Sequence, residues 1–361
     1  MFKHNKLSKN KFFMNIYKKL KKIYESRENN ITYDKLIIEH SVLDNNILNN
    51  NFTSSEIKDD IIGTIKYSYE ITYKNNILYY YSSKKRLVQS FILQFFKIIN
   101  SLRILFKTNN KDNIQVIKYF DTNNKKTFPK TENAILSPNE INSGLTILSH
   151  DHNGEIILYR KEEVFKVLIH ELIHSNAIDH KLIFSSNVKD FSSHFCVNYI
   201  VLFNEAYTEA CANILNLFFI NIIDHCNNKS NNKKILYKDL DKMFNEELNY
   251  SKYIYSKIMN YYGLNNIDDI IKKDNKCSVY FPQKTNVFSY YFLKFILLLH
   301  LDEMAVILKK QNNLLKITDG IYIDLLIKLV MDNLKDINNY FIKNCKDKNK
   351  SLRLTCHEIK V

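Results

Sequence analysis

Val164–Ser175 reads VFKVLIHELIHS. A twelve-residue run this apolar, with no Gly or Pro, predicts a helix that is buried on most of its surface. Residues four apart share one face of a helix, so His170 and His174 present two imidazoles to one point. Glu171, one residue beyond the first His, then stands beside that point. This H-E-x-x-H spacing suits a catalytic zinc site: two neutral nitrogen ligands, one further protein ligand, a position open to solvent, and a carboxylate placed as general base. The same five residues also occur in ordinary amphipathic helices with two unremarkable histidines. The apolar surroundings favour the metal reading. Val164, Phe165, Val167, Leu168, Ile169, Leu172 and Ile173 would bury the motif, and buried His and Glu side chains need partners, which an ion supplies.

The residues before the motif predict a sheet. Thr64–Ser82 alternates through Ile65, Tyr67, Tyr69, Ile71 and Tyr73, turns at Lys74-Asn75-Asn76 and continues over Ile77–Tyr81, the pattern of a β-hairpin. Ser83–Phe106 reads as a helix, with Leu87, Phe91, Phe95, Ile98, Ile99 and Leu102 at helical spacing. Ile114–Phe120 is a strand. Gly144–Ile147 and Ile156–Tyr159, joined through a turn at His150–Gly154, form a second hairpin running into the motif helix. His150 and His152 are expected to be exposed turn residues. Glu162 and Glu163 suit the first turn of the helix, where negative charge meets the positive end of its dipole. Ile156–Tyr159 is the strand expected to receive an extended substrate at the sheet edge.

Two third ligands compete. His180 gives the spacing His170-x3-His174-x5-His180, the metzincin pattern with Ala177 where a glycine normally turns the chain; alanine resists the positive φ such a turn needs. The rival lies in Asn204-Glu205-Ala206-Tyr207-Thr208-Glu209, within a helix expected over Asn198–Ile222. That helix is apolar except for a stripe through Glu205, Glu209, Asn213 and Asn216. Two carboxylates one turn apart on a buried helix repel unless a cation lies near. Ala206, Ala210 and Ala212 would allow close approach of the two helices. A solvent-facing polar stripe is the alternative, but the flanking residues are too apolar for an exposed helix.

HELIH followed by NEAYTE resembles the gluzincin metallopeptidases, the thermolysin-like and aminopeptidase-like zinc enzymes. The resemblance covers about Ile156–Asn216. It implies an α+β, zincin-like fold: a mixed β-sheet, an active-site helix and a mainly helical C-terminal half. It further implies Zn²⁺ held by His170, His174 and Glu205, with Glu171 as catalytic base and Glu209 orienting a ligand histidine. The implied activity is hydrolysis of peptide bonds in a peptide or protein substrate through a metal-activated water. The spacer from His174 to Glu205 is longer than in thermolysin; clostridial neurotoxin light chains, which carry a similar HELIH, also have a long spacer. An oxyanion-stabilising Tyr, His or Arg is expected as well. Tyr290, Tyr291 and His300 are placed for it, although each tyrosine also reads as a core residue. Tyr207 is expected to face away from the metal.

Over its 361 residues the chain is poor in Gly (5) and Pro (3), rich in Asn, Lys, Ile and Tyr, and carries a formal charge of +14. This basic, Asn-rich composition also resembles that of predicted metallopeptidases of large DNA viruses. The charge admits an acidic partner such as nucleic acid, but the lysines are spread along the chain. Met1–Asn30 carries nine Lys/Arg interleaved with Phe12, Phe13, Ile16, Tyr17, Leu20 and Ile23. It reads as a basic amphipathic helix, either attached to an anionic membrane or nucleic acid or packed on the domain by its apolar stripe; the second is the expectation. Three parts follow: a basic helical arm over 1–55, a β-rich subdomain with one long helix over 56–160, and a helical zinc-binding and C-terminal subdomain over 161–361. NNKSNNKK at 227–234 reads as an exposed loop between helices. Six cysteines without a C-x-x-C pair, and no signal peptide at the start, predict free thiols and an intracellular, cytoplasmic setting (host cytoplasm or virion for a viral protein). No transmembrane segment is expected, the most apolar run, Tyr290–Leu301, being too short. A non-catalytic protein with a structural or vestigial zinc site, or a basic virion protein, is the alternative to an enzyme.

Overall fold

A computed structural model describes residues 6–26, 34–39, 53–108, 114–131, 134–148, 154–183, 185–227, 233–274, 276–311, 313–343, 345 and 350–360. His150–Asn153 of the expected turn, with its two histidines, and most of the 227–234 loop lie outside them. The fold is α+β. In chain order the main elements are α1 (Lys11–Glu25), β1 (Asp34–Glu39), α2 (Ser55–Thr64), β2 (Tyr67–Tyr73), β3 (Asn76–Ser82), α3 (Gln89–Leu105), β4 (Gln115–Phe120), β5 (Gly144–Ile147), β6 (Glu155–Leu158), α4 (Val164–Ser175), α5 (Phe203–Asn227) and α6 (Lys233–Tyr261). A π-helical turn over Phe288–Leu293 then runs into α7 (Lys294–Leu299), followed by α8 (Leu301–Lys310) and α9 (Gly320–Asn333).

The six strands form one mixed sheet in the order β1-β2-β3-β4-β6-β5. The first hairpin pairs antiparallel, Ile71 opposite Leu78. β3, β4 and β6 run parallel, and α3 makes the crossover between β3 and β4. β5 returns antiparallel to β6 and forms the edge. Alternation along the strands separates two cores. Ile117, Tyr119, Ile156 and Leu158 face the main core with α3 and α4. Phe120, Ile157 and Tyr159 face a smaller core closed by Ile57 and Ile61 of α2.

β6 is therefore an interior strand, paired on both sides, and cannot accept a further chain. The edge that borders the helix is β5. Gly144 begins it where a β-carbon would lie 2.8 Å from Leu158 Cδ2 and 2.9 Å from the Ile157 carbonyl oxygen, so only glycine lets the edge close onto β6.

α1 packs by its apolar stripe: Phe13, Ile16, Tyr17 and Leu20 are buried in the main core. Tyr17 donates to Asn221 Oδ1 of α5 at 2.9 Å, and Tyr24 to Gln94 Oε1 of α3 at 2.9 Å. The apolar face that a membrane would need is thus used within the fold. α5 is long and apolar enough to cross a bilayer, but its apolar window is wholly buried, as in a core helix.

The cysteines depart from expectation. Cys196 and Cys277, 81 residues apart, form a disulfide; a pairing at that separation leaves no spacing signal in the sequence. Cys211, Cys226, Cys345 and Cys356 are free.

Candidate metal centre

α4 and α5 pack face to face, both buried. His170 Nε2 and His174 Nε2 lie 3.0 Å apart. Glu205 Oε2 lies 3.4 Å from the first and 3.6 Å from the second, and the ligand atoms of all three residues fall within 4.8 Å of one another. The other ring nitrogen of each histidine faces a carboxylate: His170 Nδ1 is 2.9 Å from Glu209 Oε2, and His174 Nδ1 is 2.7 Å from Asp179 Oδ2. A carboxylate accepts, so each Nδ1 carries the hydrogen and each neutral ring directs the Nε2 lone pair inwards. Two lone pairs and a carboxylate oxygen then converge, a repulsive arrangement unless positive charge lies among them.

The titration directions carry the same message. Burial alone would lower both histidine pKa values, yet Glu205 and Glu209 raise that of His170, while Asp179 and Glu205 raise that of His174 well above its usual value. Burial opposes ionisation of Glu205, but the two histidines hold it well below the usual carboxylate range. Two imidazole nitrogens and one carboxylate oxygen fit a zinc ion, and other divalent ions that accept N/O ligands.

Around this centre the side chains are fixed. Glu171 does not join the ligand cluster: its Oε2 accepts from Thr146 Oγ1 of β5 at 2.7 Å. Burial raises its pKa against the opposing pull of His170 and His174, as suits a proton acceptor working nearer neutrality. Tyr290, on the π-helical turn, donates to Glu205 Oε2 at 2.9 Å. Glu209 is ion-paired with Lys166, one turn before His170 on α4. Asp179 also accepts from Thr208 Oγ1 at 3.2 Å, while its Oδ1 is buried without a partner among the described residues.

The sequence candidates fall out as follows. His170, His174 and Glu205 come together, with Glu171 beside them and Glu209 on the Nδ1 of a ligand histidine. His180 does not join them: it is exposed at the start of a one-turn helix, His180–Ile183. The chain does turn at Ala177, which takes φ +53° despite its β-carbon, but the turn delivers Asp179 to the site instead. The stripe on α5 is a buried polar seam and not a solvent face, since Asn213 donates to Glu247 and Asn216 to the His357 carbonyl. Glu163 does not serve the helix dipole. It adopts φ +59° ahead of α4, pairs with Lys126, and accepts the N–H groups of Leu354 and Thr355. Tyr207 faces away, donating to the Leu315 carbonyl at 2.5 Å. His300 pairs with Asp336.

Sequence reasoning missed Asp179, Thr146 and Lys166; it named Tyr290 among three candidates for the oxyanion while favouring a core role for it. An acid directly before His180 and a lysine one turn before His170 were the only local signals, and neither has a distinctive spacing.

The site opens into a cleft of about 530 Å³ bordered by β5, Leu148, Tyr199, Leu202 and the Lys284–Asn286 segment. No protein-family model matches the chain, and no solved structure matches it. It is similar to the mimivirus protein named "Uncharacterized protein R210", from Acanthamoeba polyphaga mimivirus, with 29% identity over 203 residues. That match covers 56% of this chain and 47% of the relative, so the chain spans about half the length of the protein it matches.

Proposed function

We propose that the protein is a gluzincin-type zinc metallopeptidase with a zincin-like fold, in which His170, His174 and Glu205 hold the ion. The observation that carries this reading is the convergence of two Nε2 lone pairs and Glu205 Oε2, with both opposite Nδ1 atoms held by carboxylates. That donor set fits Zn²⁺ and is already oriented for it. When bound, zinc supplies a Lewis acid that lowers the pKa of water and polarises a peptide carbonyl.

The remaining steps belong to side chains of this chain. Glu171, turned to the cleft by Thr146 and raised in pKa by burial, accepts a proton from the attacking water and returns it to the leaving amine. Tyr290 holds Glu205 in place and has a hydroxyl able to turn to the oxyanion as charge develops there. The outer edge of β5, which carries Thr146, is the place for an extended substrate to add as a further strand.

Glu171→Gln tests the reading. The variant should bind as much zinc as wild type and lose about 10²- to 10⁴-fold in peptide hydrolysis. Zinc-loaded wild type without peptidase activity would identify a structural zinc site instead.

A further inference from the structure

Two residues that line the cleft each carry a buried polar atom without a partner among the described residues: Ser143 Oγ and Asn286 Oδ1. Ser143 is 4% exposed and directly precedes the edge strand β5. The two loops that carry these atoms are tied together, since Thr285 Oγ1 donates to Asn142 Oδ1 at 2.9 Å. Each position is also fixed from behind. The Ser143 carbonyl accepts from Tyr159 N–H at 3.0 Å, and the buried Arg160 donates from Nε to the Asn142 carbonyl at 2.8 Å. The Asn286 carbonyl accepts from Tyr290 N–H at 2.9 Å.

Buried polar atoms are nearly always hydrogen-bonded, so a held pair without partners in the wall of a cleft is suited to completion by what enters the cleft. The pair offers one acceptor, the amide oxygen, and one hydroxyl able to donate. The pair itself carries no charge, and the buried Arg160 behind it is engaged with the carbonyls of Asn142 and Asn139. The complement of the pair is an uncharged group with one N–H and one C=O.

We infer that Ser143 and Asn286 form a substrate subsite that binds an amide group, whose N–H reaches Asn286 Oδ1 and whose C=O accepts from Ser143 Oγ. The inference rests on the peptidase reading and extends it to substrate recognition. The distance along the chain is short. Ser143 is three residues from Thr146, about 10 Å along an extended strand, so the bound amide lies within about three residues of the cleaved bond. The amide comes either from the substrate main chain or from an Asn or Gln side chain.

The test uses zinc-loaded full-length wild type, Ser143→Ala and Asn286→Leu, with zinc content measured for each. All three digest a peptide library made from a whole proteome, cleaved bonds are mapped, and KM and kcat are measured on one well-cut library peptide. Loss of one neutral hydrogen bond should raise KM about three- to tenfold in each variant. A main-chain amide predicts that rise for every sequence. A side-chain amide predicts enrichment of Asn or Gln at one position near the cleaved bond in wild type, lost in both variants. Unchanged KM and an unchanged cleavage map in both variants, with zinc retained, would overturn the subsite. If zinc-loaded wild type cuts nothing, the peptidase reading fails separately. The subsite is then judged by saturation-transfer NMR with N-acetylglutaminamide. Binding lost in both variants supports the subsite, and absent or unaltered binding overturns it.

Discussion

Ala177 holds φ +53° one residue past the cap of α4, in a conformation that costs a residue with a β-carbon about 1–2 kcal/mol. The strain persists because the turn brings Asp179 to His174 Nδ1. Ala177→Gly should therefore stabilise the protein by about 1 kcal/mol, read from the denaturant midpoint; a loss of stability would mean that the β-carbon is needed for packing. Glu209 makes a pH prediction. Burial pushes its pKa up, but Lys166 and His170 outweigh burial and hold it far below the ordinary 4.5. A depressed carboxylate adds stability above its unfolded pKa and loses it as the pH falls towards the folded value. Stability should thus be full above about pH 5 and decline in acid. Glu209→Gln should be less stable at pH 7, because it leaves Lys166 buried without its partner, and should show a shallower acid slope. An unchanged slope would show that Glu209 is not the titrating group. At this scale the sequence disclosed the motif residues through their fixed spacing. Asp179, Thr146 and Lys166 acquire their roles only from contacts that spacing does not encode.

Helices and strands were legible wherever one period dominated. The first hairpin, β4, the second hairpin and α4 appear where their alternation or apolar run predicts them. Strand order was not legible, because β5 and β6 have similar patterns and only the parallel pairing of β4 with β6 decides which one is the edge. The disulfide is a second feature of this scale. Cys196 lies nine residues before Glu205, and Cys277 thirteen before Tyr290, so the bond ties together the segments leading to both elements. A disulfide is typically worth about 2–4 kcal/mol. The Cys196→Ser/Cys277→Ser protein should be destabilised by about that amount, and reductant should lower the denaturation midpoint of wild type but not of the double variant. Equal midpoints for wild type with and without reductant would contradict the pairing.

Across the whole molecule, one main core joins α1 at the N-terminal end to Leu352, Leu354 and Ile359 at the C-terminal end. The last described segment, 350–360, lies against the buried seam of α5 and ties to Glu163 and Glu247 through its backbone. The candidate metal site is thereby enclosed by parts of the chain some 190 residues apart in sequence, which no local pattern could have disclosed. All of these contacts hold α4 and α5 in register so that two histidines and a glutamate meet. The most direct test of the account is therefore zinc content per chain, measured by elemental analysis for wild type, Glu205→Ala and His180→Ala together. The account predicts about one zinc in wild type and in His180→Ala, and its loss in Glu205→Ala. Wild type without metal after zinc has been supplied, or loss confined to His180→Ala, would contradict it.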